Sequence, residues 1–518
     1  MHVPIRAISS SSPVTLFTTT TPKNKNNVPN HHHYMYIGNV ANICSTTIGA
    51  GVVALPNTFQ RCGLIGGLLL LCVTGYATHA SLVILSEVMD RVDVDVNDNI
   101  NAGTCKYQAC TISSYVGLTL RIYDDSSSIA GQLVEFAVIS LCFGCMIAFL
   151  IAVGDMIEDG IILQYNLSLV ITREGAMVAF CLLFMLPLSL FRKVDSLKYT
   201  STFGVLAVMF FVMVTIGKSV QSLLQYGYDS DDDIRLFPAN FRDVMQACPL
   251  AMQAYNSHFI IPRIYYELYD EGDGVSRLHQ MRKIFDGSVS LVTTLYLSVG
   301  LFAYLEFGSR IQGDVLKNFC IQDSHDVVII VAFILLSCKI CVAFPLLVFP
   351  CRDSIHIALT RCTERLANGD HVVQNSSIGL NAHTNVTYGL VNDQLKARIH
   401  KNGNSPDEMT ADNEQLFESH NGHCQNVPTA SDDGAATSLP RHVTLTFLII
   451  LFALLVALAV PDIALVFSLM GSTSTAFLCY IMPAAMFLKL DADSEVSATT
   501  CECLTIRYCT DSVFKFYG

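Results

Sequence analysis

Residues 42–56, NICSTTIGAGVVALP, place hydroxyl side chains, glycines and a proline inside the first long apolar segment of the chain. Thr46 and Thr47 can bond back to their own helix backbone. Gly49 and Gly51 each lower helix propensity by about 1 kcal/mol relative to alanine. We therefore expect the helix to break here, leaving a second half-helix whose free N–H groups and positive dipole end suit a carboxylate. Close helix packing through small residues would explain the glycine pair equally well.

A second apolar segment, CPLAMQAYNSHFIIPRIYYEL (residues 248–268), is interrupted in a similar way. It carries two prolines, and between them lie the polar residues Asn256, Ser257 and His258. Transporters built from inverted repeats place two discontinuous helices at corresponding positions of their two halves, with the substrate between them. In a five-plus-five arrangement those helices are the first and the sixth, which are the two interrupted segments in this chain.

The composition of the whole chain indicates what kind of helices must hold these two segments in place. Of the 518 residues, 52% are hydrophobic and only 14% are charged, whereas soluble domains carry about 25% charged residues. Roughly 20 apolar residues cross a ~30 Å hydrocarbon core. We predict an all-α polytopic membrane protein with ten spans: 37–58, 63–86, 131–157, 175–191, 201–222, 245–264, 286–306, 327–350, 443–460 and 463–488.

Several function classes do not fit the composition. The net charge of −13 comes mostly from polar loops, and an acidic chain is a poor nucleic-acid binder. Many of the 19 cysteines lie in apolar segments, where they behave as small hydrophobes. No spacing matches a zinc site, and no nucleophile or H-E-x-x-H pattern indicates an enzyme. We therefore predict no metal, no cofactor and no nucleic-acid partner.

The polar segments divide the chain into regions. We expect disordered cytosolic segments at 1–36 and 351–441, helices at 37–350 and 442–490, and a polar tail at 491–518. The loops FRKVDSLKYTS and RLHQMRKIF are basic, whereas YDSDDDI is acidic. Basic loops stay on the cytosolic side, so both termini are predicted to be cytosolic.

Several motifs resemble those of the amino acid/auxin permease family, in particular its system A/N neutral amino acid carriers and vacuolar amino acid transporters. The resemblance covers about residues 37–490, and its motifs are NICSTTIGAGVVALPNTFQRCGLIGG, LPLSLFRKVDSLKYTS (186–201), SHFIIPRIYYEL, FPLLVFPCRDSI (344–355) and VPDIALVFSLMGSTSTAFLCYIMPA (460–484). It implies a LeuT-type five-plus-five inverted-repeat core that works by alternating access. The unwound backbone of the first and sixth spans would then hold the α-carboxylate and the amine of an amino acid.

Site residues follow from the same resemblance. On the carboxylate side it implies Thr46, Thr47, Ile48, Gly49, Ala50 and Gly51. On the side of the amine and the side chain it implies Asn256, Ser257 and His258. We expect the amino acid itself, a coupling ion and the lipid bilayer to be the partners of the chain.

Two features depart from the family pattern. Residues 489–518 are too polar to form the usual eleventh span. Sodium-coupled members carry threonines just before the proline of the eighth span, but here SCKICVAFP places Lys339 in mid-membrane. A central lysine costs about 3 kcal/mol to insert, and such residues usually face a cavity. We hypothesise that Lys339 replaces the cation, which makes transport proton-coupled or uncoupled; Cys44 and Ser337 are grouped with it as candidate ion-coupling residues. The alternative is a structural lysine bonded to carbonyls of the broken first helix.

Other ionisable residues in the spans receive structural interpretations. Asp155 is expected to cap the third span, Glu135 to lie at an interface and His79 to be a packing histidine. Taken together, the sequence predicts a secondary active amino acid transporter, proton-coupled rather than sodium-coupled, in the plasma membrane or a vacuolar or lysosomal membrane. The alternative is a transporter-like amino acid sensor that signals through its cytosolic loop.

Overall fold

The structure is a computed structural model, and it describes residues 28–49, 51–101, 114–123, 129–158, 162, 172–190, 197–226, 234–268, 277–318, 326–367, 439–460 and 462–493. All regular secondary structure in these ranges is helical. We number the helices α1 (Val28–Thr47), α2 (Gly51–Asn101), α3 (Tyr115–Ile122), α4 (Ile129–Ile157), α5 (Arg173–Leu190), α6 (Leu197–Tyr226), α7 (Phe241–Ala254), α8 (Ile261–Glu267), α9 (Arg277–Phe307), α10 (Val327–Ala367), α11 (Leu439–Ala459) and α12 (Ile463–Ala492).

Eight continuous helices in the described ranges are long and apolar enough to cross a membrane. The first and sixth predicted spans are absent from that set because each is divided into shorter pieces, α1 with the start of α2, and α7 with α8. The remainder of α2 forms the second span after a turn at Gly63, whose φ of 75° and ψ of 175° interrupt the helix. The structure therefore confirms the all-helical fold class, with breaks in the first and sixth spans.

Several element boundaries differ from the expected ones. α1 begins at Val28 rather than at residue 37, and α10 continues to Ala367 beyond the predicted end at 350. Residues 1–27, 368–438 and 494–518 lie outside the described residues, and so does most of the polar segment that was expected not to form an eleventh span.

The helices bury polar and aromatic side chains together with many aliphatic ones, and the outer surface of the bundle carries further large aliphatic side chains. Tyr255 and Tyr296 are among the largest fully buried side chains, whereas Leu183 and Met213 are 68% and 69% exposed. This arrangement is typical of a bundle in lipid, because acyl chains are as apolar as leucine and offer buried polar groups no partners. The interior is thus where polar contacts have to be made.

Candidate functional site

The first break separates α1 from α2. α1 ends at Thr47, and Ile48 and Gly49 are not helical. The Thr46 hydroxyl donates to the Asn42 carbonyl at 2.9 Å, and the Thr47 hydroxyl donates to the Ile43 carbonyl at 2.7 Å. Both threonines therefore bond back to the preceding turn, as their residue type suggested, and their side chains support the end of α1. The predicted site residue Ala50 lies outside the described residues.

The second break separates α7 from α8. α7 ends at Ala254, and a 3₁₀ turn, His258–Ile260, leads into α8 with a proline in its first turn. A proline in the first turn loses no hydrogen bond, because the first N–H groups of a helix have no partner within it. The break therefore exposes the carbonyl end of α7 and the amide end of the segment that follows.

The two breaks meet at one hydroxyl group. Tyr296 of α9 places its Oη 3.0 Å from the Thr47 carbonyl oxygen and 2.8 Å from the Ala254 carbonyl oxygen. These carbonyls belong to the last residues of α1 and α7. Gly51, the first residue of α2, lies against the same point, since a Cβ there would be 3.3 Å from the Ala254 Cα. Sequence reasoning missed Tyr296, because a tyrosine in an apolar span carries no local signal.

A small cavity lies beside this meeting point. It has a volume of about 10 Å³, and its polar lining comes from Thr47, Thr78, Tyr255, Ser257 and Ser288. Such a volume holds about one water molecule. A ligand as large as the expected amino acid could therefore enter only after the surrounding helices had moved.

The predicted residues of the sixth span are divided between two places. Ser257 lines the small cavity, whereas Asn256 faces α12, where its Oδ1 lies 3.4 Å from Cys479 Sγ. His258 is fully buried beside the ring of Tyr480, with 6.3 Å between ring centroids. Neither imidazole nitrogen has a hydrogen-bond partner among the described residues. The structure thus brings Thr47 and Ser257 together and places His258 outside that cavity.

Lys339 reaches the first break from α10. Its Nζ donates to the Ile48 carbonyl oxygen at 2.8 Å and lies 5.7 Å from the centroid of the Phe149 ring. Gly204 of α6 makes room for the side chain, because a Cβ there would be 3.3 Å from Lys339 Cγ. The lysine is only 3% exposed, so its ammonium group occupies the interior of the bundle at the broken helix.

The other two candidate ion-coupling residues bond elsewhere. The Cys44 thiol contacts the Ser288 carbonyl oxygen at 3.7 Å, and the Ser337 hydroxyl contacts Met156 Sδ at 3.2 Å. Neither contact involves the Lys339 ammonium group. Lys339 is therefore the member of this group that the structure brings to the break.

Ion pairs close the bundle on both sides of the breaks. We call the side where α2 and α12 end the first face; there Arg91 contacts Asp491 at 2.6 Å, and Arg277 contacts Asp93 at 2.8 Å. We call the side where α4 and α9 end the second face. The buried Asp155 there contacts Arg173 at 2.7 Å and Lys317 at 3.2 Å, beside a cleft of about 150 Å³. Asp155 therefore joins three segments, which goes beyond the simple cap that the sequence suggested.

His79 and Glu135 also have identifiable places. The Nε2 of His79 lies 2.8 Å from the Asp286 carboxylate, so this histidine connects α2 to α9 instead of only packing. Glu135 is buried in the second turn of α4, not exposed at its start. Neither residue contributes to the cavity beside the breaks.

Comparison with known proteins identifies the family. Residues 36–514 match the family model described as "Transmembrane amino acid transporter protein". The yeast protein "Vacuolar amino acid transporter 6" is 24% identical over 92% of this chain and 93% of its own length. The Arabidopsis thaliana protein "Amino acid transporter AVT6D" is 25% identical over 88% of this chain and 86% of its own length. The human protein "Solute carrier family 38 member 10" is 27% identical over 64% of this chain and 27% of its own length.

Two solved structures are similar at low identity. The Eremococcus coleocola manganese transporter aligns with a TM-score of 0.42 at 10% identity, covering 90% of this chain and 96% of that one. MhsT in complex with L-phenylalanine aligns with a TM-score of 0.41 at 11% identity, covering 88% and 97%. The predictions of the permease family and of a transporter rather than an enzyme are confirmed by the family model and the named relatives.

Proposed function

This chain belongs to the family of transmembrane amino acid transporters, and from that premise we propose that it carries amino acids across a vacuolar-type membrane by alternating access. The observation that carries the proposal is the convergence of the free ends of two broken helices on one point, at Thr47 and Ala254. The vacuolar assignment rests on the relatives named as vacuolar transporters. Both termini are proposed to face the cytosol, from the basic loops.

The chemistry of the two breaks supports an amino acid as substrate. The start of α2 at Gly51 offers unpaired N–H groups and a positive dipole end, which attract a carboxylate. The carbonyl ends of α1 and α7 carry the opposite partial charge, which attracts an ammonium group. Both features lie within a few ångströms of each other, as do the two charged groups of an α-amino acid. Recognition would thus use backbone groups, leaving the side chain of the substrate to contact other residues.

The closed state of the bundle supports alternating access. The cavity at the breaks is too small for an amino acid, and ion pairs join helices on both faces of the bundle. Opening one face at a time breaks one set of ion pairs and keeps the other. We infer that the Arg91 and Asp155 networks are the contacts that separate in the two open states.

Lys339 supports coupling to protons rather than to sodium. Its ammonium group bonds the Ile48 carbonyl, where a metal cation would otherwise be attracted by the exposed backbone oxygens. The charged lysine repels a sodium ion at this point, and its amino group can release and regain a proton during transport. We therefore propose that Lys339 is the coupling residue, held against the broken helix in its charged form.

The test is radiolabelled amino acid uptake into proteoliposomes, with a mixed amino acid panel and imposed pH or sodium gradients. We expect uptake that follows the proton gradient and ignores sodium. Lys339→Met should abolish the pH dependence, whereas Lys218→Met should retain it, because Lys218 pairs with Asp326 away from the breaks.

Each of the other possible outcomes would contradict one part of the proposal. Sodium-driven uptake would keep the carrier and discard the coupling role of Lys339. Unchanged pH dependence in a well-folded Lys339→Met protein would do the same. Amino acid binding without flux, in folded protein, would favour a sensor over a carrier.

A further inference from the structure

The Tyr296 hydroxyl holds an unusual position, because it contacts the terminal carbonyls of two different half-helices at once. Its oxygen lies 3.0 Å from the Thr47 carbonyl oxygen and 2.8 Å from the Ala254 carbonyl oxygen, and the side chain is fully buried. The C-terminal end of a helix carries partial negative charge on its unsatisfied carbonyls. Two such ends that converge repel each other unless a hydrogen-bond donor lies between them.

One phenol cannot satisfy both carbonyls at the same time. Tyrosine has a single O–H proton, so it donates fully to one oxygen or is shared between the two. The Thr47 carbonyl also accepts the Gly49 amide at 2.9 Å, which leaves Ala254, with the shorter contact, as the stronger partner of the hydroxyl. The junction thus holds two donors, the Tyr296 hydroxyl and the Gly49 amide, for two buried carbonyls that can each accept two hydrogen bonds.

The neighbours of Tyr296 keep the ring in place. Tyr255 packs edge-on against it, with 5.2 Å between centroids and 74° between ring planes. The Tyr255 hydroxyl is itself held by the Leu71 carbonyl at 3.2 Å and the Thr293 hydroxyl at 3.1 Å. Tyr296 thus ties α1 and α7 to α9 as a rigid connection.

We propose that Tyr296 is a positioning residue that stabilises the closed, empty site, and that the ammonium group of the substrate competes with its hydroxyl for the same two carbonyls. The inference rests on the proposed function, since it assumes an amino acid as ligand. An ammonium group has three N–H donors and a full charge, so it can satisfy both carbonyls where the phenol satisfies one. The cavity beside the junction holds about one water molecule, so the helix ends must separate from Tyr296 when the ligand enters.

This competition lowers the affinity for the substrate. If only a fraction of the molecules is in a state that can bind substrate, the apparent dissociation constant equals the intrinsic one divided by that fraction. A more stable closed, empty state makes this fraction smaller. Tyr296→Phe removes the hydroxyl and keeps the ring, so it destabilises the closed, empty state more than the bound state. We expect the dissociation constant to fall about 5–10-fold, the worth of one net hydrogen bond.

The experiment measures binding to purified full-length protein. The probes are the panel amino acid that wild-type protein binds most tightly and the carboxylic acid that lacks only its amino group. Tyr304→Phe is the matched control, because it lies on the same helix and its hydroxyl contacts the backbone amide of Arg235 at 3.0 Å, away from the breaks. Tighter binding of the amino acid, but not of the acid without the amine, in Tyr296→Phe alone supports the inference.

Equal or weaker amino acid binding in Tyr296→Phe would overturn it, as would the same gain in Tyr304→Phe. If wild-type protein bound no amino acid, the proposed function itself would fail, which is a separate result. If Tyr296→Phe does not fold, the same binding measurement is made on protein with 3-fluorotyrosine at position 296. Fluorination keeps the packing and makes the hydroxyl a stronger donor, so the dissociation constant should rise; an unchanged or lower value would refute the competition.

Discussion

Gly471 of α12 lies directly against the backbone of α7 at Pro249, and adding a single methyl group there should separate the two helices. A Cβ at position 471 would be 2.5 Å from the Pro249 carbonyl carbon and 2.9 Å from its Cα, and closer still to its carbonyl oxygen. Ordinary contacts of a Cβ begin at 3.4 Å. The atoms it would meet belong to backbone, so no side chain can rotate away. Gly471→Ala therefore requires the helices to move apart by more than 0.9 Å, which is the shortfall from 3.4 Å at the carbonyl carbon, because the carbonyl oxygen is closer still.

The cost follows from known overpacking effects. Inserting a methyl group into packed structure costs typically about 1–3 kcal/mol. The same change in an open helix position stabilises the helix by about 0.5–1 kcal/mol, because glycine loses more backbone entropy on folding. Gly217 of α6 provides that comparison, since a Cβ there meets nothing within 4 Å. Because the gain in helix propensity is common to both variants, we expect Gly471→Ala to be less stable than Gly217→Ala by the overpacking cost, about 1–3 kcal/mol.

The assay is unfolding of the purified protein in mixed detergent micelles, followed by helical circular dichroism, for wild type and both variants. Because α7 ends at Ala254, a displaced α7 should also reduce the maximal uptake rate in Gly471→Ala. Equal stability of the two alanine variants would refute this reasoning, because it would show that the backbones of α7 and α12 are not in tight contact at Gly471.

The Arg91 and Asp155 ion-pair networks should differ in how strongly they hold their faces closed. Cys44 is fully buried, so its alkylation, measured by peptide mass spectrometry, reports the opening of either face. Asp155→Asn removes a buried carboxylate with two basic partners, a loss of about 3–5 kcal/mol, so alkylation of Cys44 should rise strongly. Arg91→Gln removes a partly exposed pair with Asp491, worth about 0.5–1 kcal/mol, so the rise should be several-fold smaller. Cys142, buried in the core, serves as the control; equal labelling of Cys44 in both variants and wild type would contradict the roles assigned to the networks.

Composition and local propensity determined much of this protein. The number of long apolar segments predicts an all-helical membrane bundle, because an isolated backbone in lipid must satisfy its own hydrogen bonds. The two broken spans also follow from local residue types. Thr46 and Thr47 bond back to their own turn, and a proline lies in the first turn of α8, as these residue types favour. Lys339 in an apolar span required a partner, and the alternative of a carbonyl at the broken first helix was already contained in the sequence.

Only the tertiary structure decided which distant groups meet. Tyr296 lies 249 residues from Thr47 and 42 from Ala254, and no local pattern connects the three. The pairing of Asp155 with Lys317 likewise depends on how the end of α4 packs beside the segment after α9. Residue type and neighbouring positions determine helix propensity and span length. Contacts between helices depend on crossing angles and on the small residues at their interfaces, which a single sequence does not encode locally. For this reason the sequence located both breaks, whereas the hydroxyl that joins them emerged only from the packed bundle.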